Sequence, residues 1–143
     1  MVKNYEIEGD FSPLARGRTN GGKQFDTWSH AVLLFGNGIE SQHMGERLFK
    51  GHLSVDMVFY LAFEMGVGEK RRQLLNNKHV SSRPRMSALL KALEEICVGV
   101  LFEDGSIIVS VRAEKRRSTN PRLEMIITEI DDAKGTGSKE KTQ

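Results

Sequence analysis

The sequence predicts an α+β (mixed α/β) domain in which helices pack on one small sheet. Three observations lead to this prediction. The apolar residues of 52–63 alternate with the period of a strand, those of 84–98 recur with the period of a helix, and the elements follow the order strand, helix, strand, helix, strand, strand. The 143 residues are 38% hydrophobic and 28% charged, which suits a single globular domain with an ordinary core.

The first part of the chain is expected to contain one strand and an irregular helical segment. Residues 3–9 are predicted to form a strand, and residues 10–23, rich in Gly, Ser, Pro and Asn, a long loop. Residues 24–48 look helical in parts. Because Gly36-Asn37-Gly38 interrupts them, one kinked helix and two short helices both remain open.

The middle of the chain carries the clearest periodic patterns. Residues 52–63 are predicted to form a strand, and residues 64–83 a long basic connection. The helix of residues 84–98 is expected to start with Pro84 in its first turn. Its apolar stripe comprises Met86, Leu89, Leu90, Leu93, Ile96 and Cys97.

The last part of the chain is expected to form a hairpin and a tail. Residues 107–113 and 122–130 are predicted strands joined by a turn that ends at Pro121. Residues 131–143 lack large apolar side chains, so we expect a disordered tail behind a single domain of residues 1–130.

Charge is spread unevenly although the net charge is only +2. Blocks of basic residues are typical of proteins that bind the phosphate backbone of nucleic acids, but they also fit solvated loops that point in different directions. The candidate DNA-binding residues are Arg16, Arg18, Lys23, Lys70, Arg71, Arg72, Arg83, Arg85, Lys91, Lys115, Arg116 and Arg117.

Composition argues against several other classes of protein. Cys97 is the single cysteine and lies on the apolar face of the predicted helix, which indicates a small core residue and excludes an intrachain disulfide. No apolar run approaches the roughly 20 residues of a membrane helix, and the N-terminus lacks a signal-peptide core, so we expect no membrane association. We expect a cytoplasmic protein of a bacterium or a phage-infected cell.

An ordered set of residues runs through the last part of the chain: Arg83-Pro84, Leu89, Lys91-Ala92-Leu93, Glu103-Asp104, Ser106, Ile108, Glu114-Lys115 and Pro121-Arg122. In this set, residues 83–130 resemble the RusA family of Holliday junction resolvases, which is common in phages and prophages. The resemblance extends more loosely over residues 3–130, through the first strand, Pro13, the basic loop of 16–19 and the strand of 53–63. The resemblance implies a small mixed sheet with helices on one side, an intertwined homodimer, four-way DNA junctions as the ligand, and Mg²⁺-dependent strand cleavage.

The residues that would bind the metal depart from the family pattern. The family places two aspartates in the first turn of the helix and one or two more in the following loop. Here Arg85 and Ser87 occupy the helix positions, Asp104 matches one loop acid, and Gly105 replaces the other. Because Mg²⁺ needs oxygen ligands, we expect no metal or other cofactor unless the site still functions. Arg85 is expected either to pair with Asp104 or Glu103 and favour phosphate, or to be a solvated first-turn residue.

Three functions remain open from the sequence. The first is a catalytically degenerate RusA-like protein that binds branched or duplex DNA without cleaving it. The second is an active Mg²⁺-dependent junction endonuclease with a site rebuilt from Asp104, Glu103, Asp56 or Glu94. The third is a scaffold repurposed as a phage regulatory or host-directed factor, whose protein partner would bind the loops of 10–23 or 64–83.

Overall fold

The computed structural model describes residues 2–16 and 22–130. Within these residues it contains five strands, four helices and one 3₁₀ turn. The elements are β1 (Val2–Glu8), α1 (Ser12–Arg16), α2 (Gly22–Gln42), β2 (His52–Leu61), α3 (Glu69–Leu75), β3 (Lys78–His79), α4 (Met86–Cys97), the 3₁₀ turn (Gly105–Ile107), β4 (Ile108–Arg117) and β5 (Arg122–Ile130). The predicted tail of residues 131–143 lies outside this part of the chain.

The strands form one mixed sheet in the order β1-β5-β2-β4-β3. β5 runs antiparallel to β1 on one side and to β2 on the other, while β4 runs parallel to β2 and antiparallel to β3. β1, β2 and β4 therefore point the same way, and their C-terminal ends lie at the same end of the sheet. The predicted α+β class is confirmed.

The predicted hairpin of β4 and β5 is wrong. β2 lies between these two strands, and Tyr60 pairs with Arg116 on one side and with Arg122 on the other. Residues 118–121 can make this connection because four extended residues reach about 13 Å, whereas two strand spacings measure about 10 Å. β2 buries every second residue from Leu53 to Leu61 on one face, and its two edges are paired with β4 and β5.

Two segments predicted as irregular contain short elements. The predicted loop of 10–23 contains α1, which the sequence signals by Asp10 and Ser12 ahead of Pro13, a favourable residue for a first helical turn. The basic connection of 64–83 contains α3 and β3, but α3 buries no residue and so has no apolar stripe to reveal it. Pro84 precedes α4 rather than opening it, since Arg85 is the N-cap.

The core lies between one face of the sheet and helices α1, α2 and α4. Alternate residues of the neighbouring strands β1, β5 and β2 meet in rows, for example Tyr5, Met125 and Met57, all of which are buried. Helical residues such as Phe35 and Leu89 belong to the same apolar cluster. Within the described residues, no helix combines the length and the apolarity needed to cross a bilayer.

α2 runs without interruption through Gly36-Asn37-Gly38. A Cβ atom at Gly38 would lie 3.0 Å from two side-chain carbons of Ile7, so glycine lets the helix pack closely on β1. At Gly36 a Cβ atom would meet no other atom within 4 Å. The helix therefore continues because Phe35 and Ile39 are fully buried on either side of the glycines, and this burial outweighs their low helix propensity.

Candidate nucleic-acid interface

A pocket of about 820 Å³ opens where the C-terminal ends of β1, β2 and β4 meet. Its wall contains Asp10, which follows β1, residues 62–65, which follow β2, and Arg117, the last residue of β4. Arg16 at the end of α1 and residues 83–85 ahead of α4 complete it. Open sheets commonly bind ligands at the C-terminal ends of parallel strands, so the topology itself makes this pocket a candidate site.

Arginines outnumber carboxylates in the pocket wall. Arg16, Arg83, Arg85 and Arg117 line it, together with Asp10 and Glu64. All four arginines were candidates from the sequence, and the fold brings them together from four separate segments of the chain. A concave site with this charge balance favours an anionic ligand.

Both carboxylates have partners within the protein. Oδ1 of Asp10 accepts hydrogen bonds from the Ser12 backbone N–H (3.1 Å), the Ser12 hydroxyl (2.8 Å) and the Ala62 backbone N–H (3.2 Å). This carboxylate therefore ties the start of α1 to the end of β2. Glu64 Oε1 lies 3.4 Å from the Arg117 guanidinium.

Arg117 is a structural residue of the pocket wall. Its side chain is about 90% buried, and its guanidinium donates hydrogen bonds to the backbone oxygens of Ala62 (2.8 Å) and Arg83 (2.9 Å), and to the Ser82 hydroxyl (3.1 Å). These bonds hold the segment after β2 and the segment before α4 against the end of β4.

The two residues before Arg117 also bond to the segment that leads to α4. The Lys115 ammonium donates to the backbone oxygens of Ser82 (2.7 Å) and Pro84 (2.8 Å), and its pKa is lowered mainly by burial and secondarily by the charge of Arg117. Arg116 donates to the backbone oxygen of Asn77 (2.6 Å) and to Glu114. The basic run of 115–117 therefore has internal partners, which its composition alone does not reveal.

The other candidate cations differ in their surroundings. Arg16, Arg83 and Arg85 are exposed in the pocket wall, whereas Lys70, Arg71 and Lys91 are exposed outside it. Arg72 is half-buried, donates to the Val67 carbonyl oxygen (2.8 Å) and lies over the Phe63 ring (5.8 Å to its centroid). Arg18 and the side chain of Lys23 lie outside the described residues.

Arg85, the N-cap residue of α4, lines the pocket. Its carbonyl oxygen accepts the backbone N–H groups of Ala88 and Leu89, both at 3.1 Å. The expected ion pair from Arg85 to Asp104 or Glu103 is wrong, because the ion pairs between described residues do not include it. Ser87 is exposed in the first turn of the helix.

Asp104 and Gly105 lie near the other end of α4. Asp104 caps the 3₁₀ turn by accepting the Ser106 backbone N–H at 3.0 Å. A Cβ atom at Gly105 would lie only 2.4 Å from the Glu94 carboxylate carbon, so this loop packs directly on Glu94. Glu94 is nine residues beyond Arg85, which corresponds to about 13 Å along a helix axis.

The side chains at the start of α4 do not fit a magnesium ion. Arg85 brings a positive charge and Ser87 offers one neutral hydroxyl, whereas Mg²⁺ needs several oxygen ligands with negative charge. Among residues 2–16 and 22–130, no three His, Cys, Asp or Glu side chains are grouped so that they could hold a metal ion.

The sequence did not identify the apolar part of the pocket or its two carboxylates. Phe63 and Met65 follow β2, and Asp10 follows β1. The available signal was positional: residues just after strands that point the same way gather at one end of a sheet. Using that signal requires the strand order, which the hairpin prediction had wrong.

Comparison with known proteins agrees with this fold. No curated protein matches the chain. The model of the RusA endodeoxyribonuclease family matches residues 23–128, which includes α4, the loop that follows it, strands β2, β3 and β4, and most of β5. Because this match covers well over half of the 143 residues, the chain belongs to the RusA endodeoxyribonuclease family.

Proposed function

We propose that the protein binds branched or duplex DNA through the arginine-lined pocket and does not cleave it. One observation carries this proposal: Arg16, Arg83 and Arg85 come from three segments of the chain and are exposed in the wall of one pocket. Exposed guanidinium groups bind phosphate in a bidentate manner, and family membership supports DNA as the source of that phosphate.

The internal contacts of the basic residues divide the candidates by role. Arg16, Arg83 and Arg85 bind phosphate in this proposal, and Lys70, Arg71 and Lys91 are exposed cations outside the pocket wall that add further positive charge to the surface. Lys115 and Arg117 act indirectly, because they fix the segment that carries Arg83 and Arg85. Arg116 bonds instead to Asn77 and Glu114. The homodimer that the family resemblance implies stays a prediction.

Absence of cleavage is proposed from the residues that occupy the start of α4. Arg85 repels a divalent cation, and its position at a helix N-terminus favours the phosphate of a bound strand. No cofactor is needed for binding of this kind.

Fluorescence anisotropy with a labelled four-way junction tests the binding. Charge reversal of Arg16, Arg83 or Arg85 to Glu should weaken affinity about tenfold or more and reduce its dependence on salt. Arg47→Glu is the matched control, since Arg47 is exposed and precedes β2, at the opposite end of the sheet. Pocket variants that bind like the unaltered protein would overturn the proposal.

A rebuilt nuclease site is the second candidate, and one contact favours it. Gly105 packs against the Glu94 carboxylate, so Glu94 lies beside the loop that carries Asp104. Two neighbouring carboxylates are the start of a metal site, although Asp56 belongs to β2 and is not part of this contact. Incubation of the labelled junction with Mg²⁺ or Mn²⁺ decides between the two. Cleavage that Glu94→Gln and Asp104→Asn both abolish would establish the nuclease and exclude the non-cleaving function.

A further inference from the structure

Met65 is the most exposed large apolar residue that the structure describes. Its side chain is 98% accessible, and it lies in the wall of the arginine-lined pocket. Single exposed apolar residues are common on protein surfaces, so exposure alone means little. The position beside Arg16, Arg83 and Arg85 is what distinguishes Met65.

The turn that carries Met65 is held on both sides. Before it, the Arg117 guanidinium donates to the Ala62 carbonyl oxygen at 2.8 Å and pairs with Glu64. After it, Gly66 adopts a φ of +93°, which permits the reversal of the chain. The Arg72 guanidinium then donates to the Val67 carbonyl oxygen at 2.8 Å. Met65 is therefore presented to solvent by an anchored turn.

Apolar residues accompany the arginines in the pocket wall. Phe63, Met65 and Pro84 line it, and the Phe63 ring is fixed beneath the Arg72 guanidinium. A charged phosphate group makes no favourable contact with apolar side chains, whereas the apolar face of a nucleobase does. The pocket therefore suits a place in DNA where a base step is open to contact.

We infer that Met65 is an apolar wedge that enters the open base step at the branch point of a DNA junction. Methionine is among the side chains that proteins insert between bases, and such insertion requires unstacking of the step. Unstacking is least costly where the bases are already poorly stacked, as at a branch point. Met65 thereby sets a preference for branched over linear DNA, while the arginines bind phosphates of either. This inference rests on the DNA binding proposed above.

Paired titrations of a four-way junction and a linear duplex of the same sequence test the inference. Met65→Ala should lower junction affinity about tenfold, the loss expected for removing one buried side chain, and duplex affinity less than about twofold. Met65→Leu should retain the preference. Met44→Ala is the matched control, because Met44 is 79% exposed but lies outside the pocket wall. A 2-aminopurine placed at the branch point should brighten on binding of the unaltered protein, and less with Met65→Ala.

The outcomes separate this inference from the proposed function. If the unaltered protein binds both DNAs and Met65→Ala weakens both equally or neither, the wedge is wrong and the DNA-binding function stands. If the unaltered protein binds neither DNA, the wedge inference and the proposed DNA-binding function both fail, and the titration of the unaltered protein is enough to show this.

Discussion

Arg117 donates a hydrogen bond of 2.9 Å to the backbone carbonyl oxygen of Arg83. A buried cation thereby fixes the position of an exposed one, since the side chain of Arg83 is exposed in the pocket wall. The Lys115 ammonium holds the next carbonyl, that of Pro84, at 2.8 Å. The exposed Arg83, a candidate for DNA contact, is therefore held in position by Arg117 and Lys115, whose cationic groups bond within the protein. Mutation can separate the structural role of the internal cations from the binding role of the exposed one.

Arg117→Met should destabilise the fold strongly. The substitution keeps much of the side-chain volume but leaves the carbonyl oxygens of Ala62 and Arg83 without their buried donor. Hydrogen bonds from charged groups contribute about 1.5–3 kcal/mol each and are not additive, so we expect a loss of about 2–4 kcal/mol in the free energy of unfolding. Urea denaturation measures it. Arg16→Met, at an exposed arginine of the same pocket, should change stability by less than about 0.5 kcal/mol.

Lys115 and Lys91 should separate structural from direct effects on DNA binding. Lys115→Met removes the donor to the Ser82 and Pro84 carbonyl oxygens and should lower both stability and DNA affinity. Lys91 is exposed on α4, so Lys91→Met should lower affinity a few-fold and leave the unfolding midpoint unchanged. Urea denaturation and anisotropy on the same preparations make the comparison. Equal unfolding midpoints for the two variants would contradict the structural role of Lys115.

Much of the fold was predictable because the strands and α4 carry regular apolar patterns. β1, β2 and α4 lie within a few residues of their predicted bounds. The strand order was not predictable in the same way, because alternation tells which face of a strand is buried and nothing about its neighbours. The hairpin prediction failed for that reason at Tyr60, which lies between the two strands that the sequence suggested were adjacent.

The site was predictable in residue type and less so in arrangement. The sequence singled out Arg16, Arg83 and Arg85, which the fold brings together in one pocket. It also grouped Arg116 and Arg117 with them, although hydrogen bonds to backbone oxygens occupy both. Charge patterns alone cannot distinguish a cation that faces solvent from one that bonds within the protein, because both need the same residue type.

The two glycines of α2 should respond oppositely to alanine. Gly36→Ala adds a methyl group where no atom lies within 4 Å, so it should stabilise the protein by about 0.5–1 kcal/mol through helix propensity. Gly38→Ala brings a methyl group to 3.0 Å from the Ile7 side chain, so it should lose that gain and destabilise. Thermal unfolding of both variants tests the pair, and a stabilised Gly38→Ala would show that α2 does not pack on β1 as described.

Cys97 should make stability fall at alkaline pH. The side chain is buried, and burial, followed by the nearby charge of Glu94, raises the pKa of the thiol from 9.0 to about 12. In the unfolded chain the thiol ionises once the pH exceeds its ordinary pKa of 9.0, whereas in the folded protein it stays protonated until the pH approaches 12. The unfolded state then binds fewer protons, so the stabilisation present below pH 9.0 is lost as the pH rises toward 12.

The size of this effect follows from a single ionisation. Between about pH 8 and about pH 10, the unaltered protein should lose about 1 kcal/mol more stability than Cys97→Ala. Ionisations of groups that do not interact with Cys97 are common to both proteins and cancel in the difference. Urea titrations at the two pH values give the change in the free energy of unfolding with pH for each protein. The stability that Cys97→Ala loses through its smaller side chain is the same at both pH values, so it does not affect this change. Parallel pH profiles would show that the thiol ionises as readily in the fold as outside it, and rapid reaction of the native protein with a thiol reagent would show the same independently.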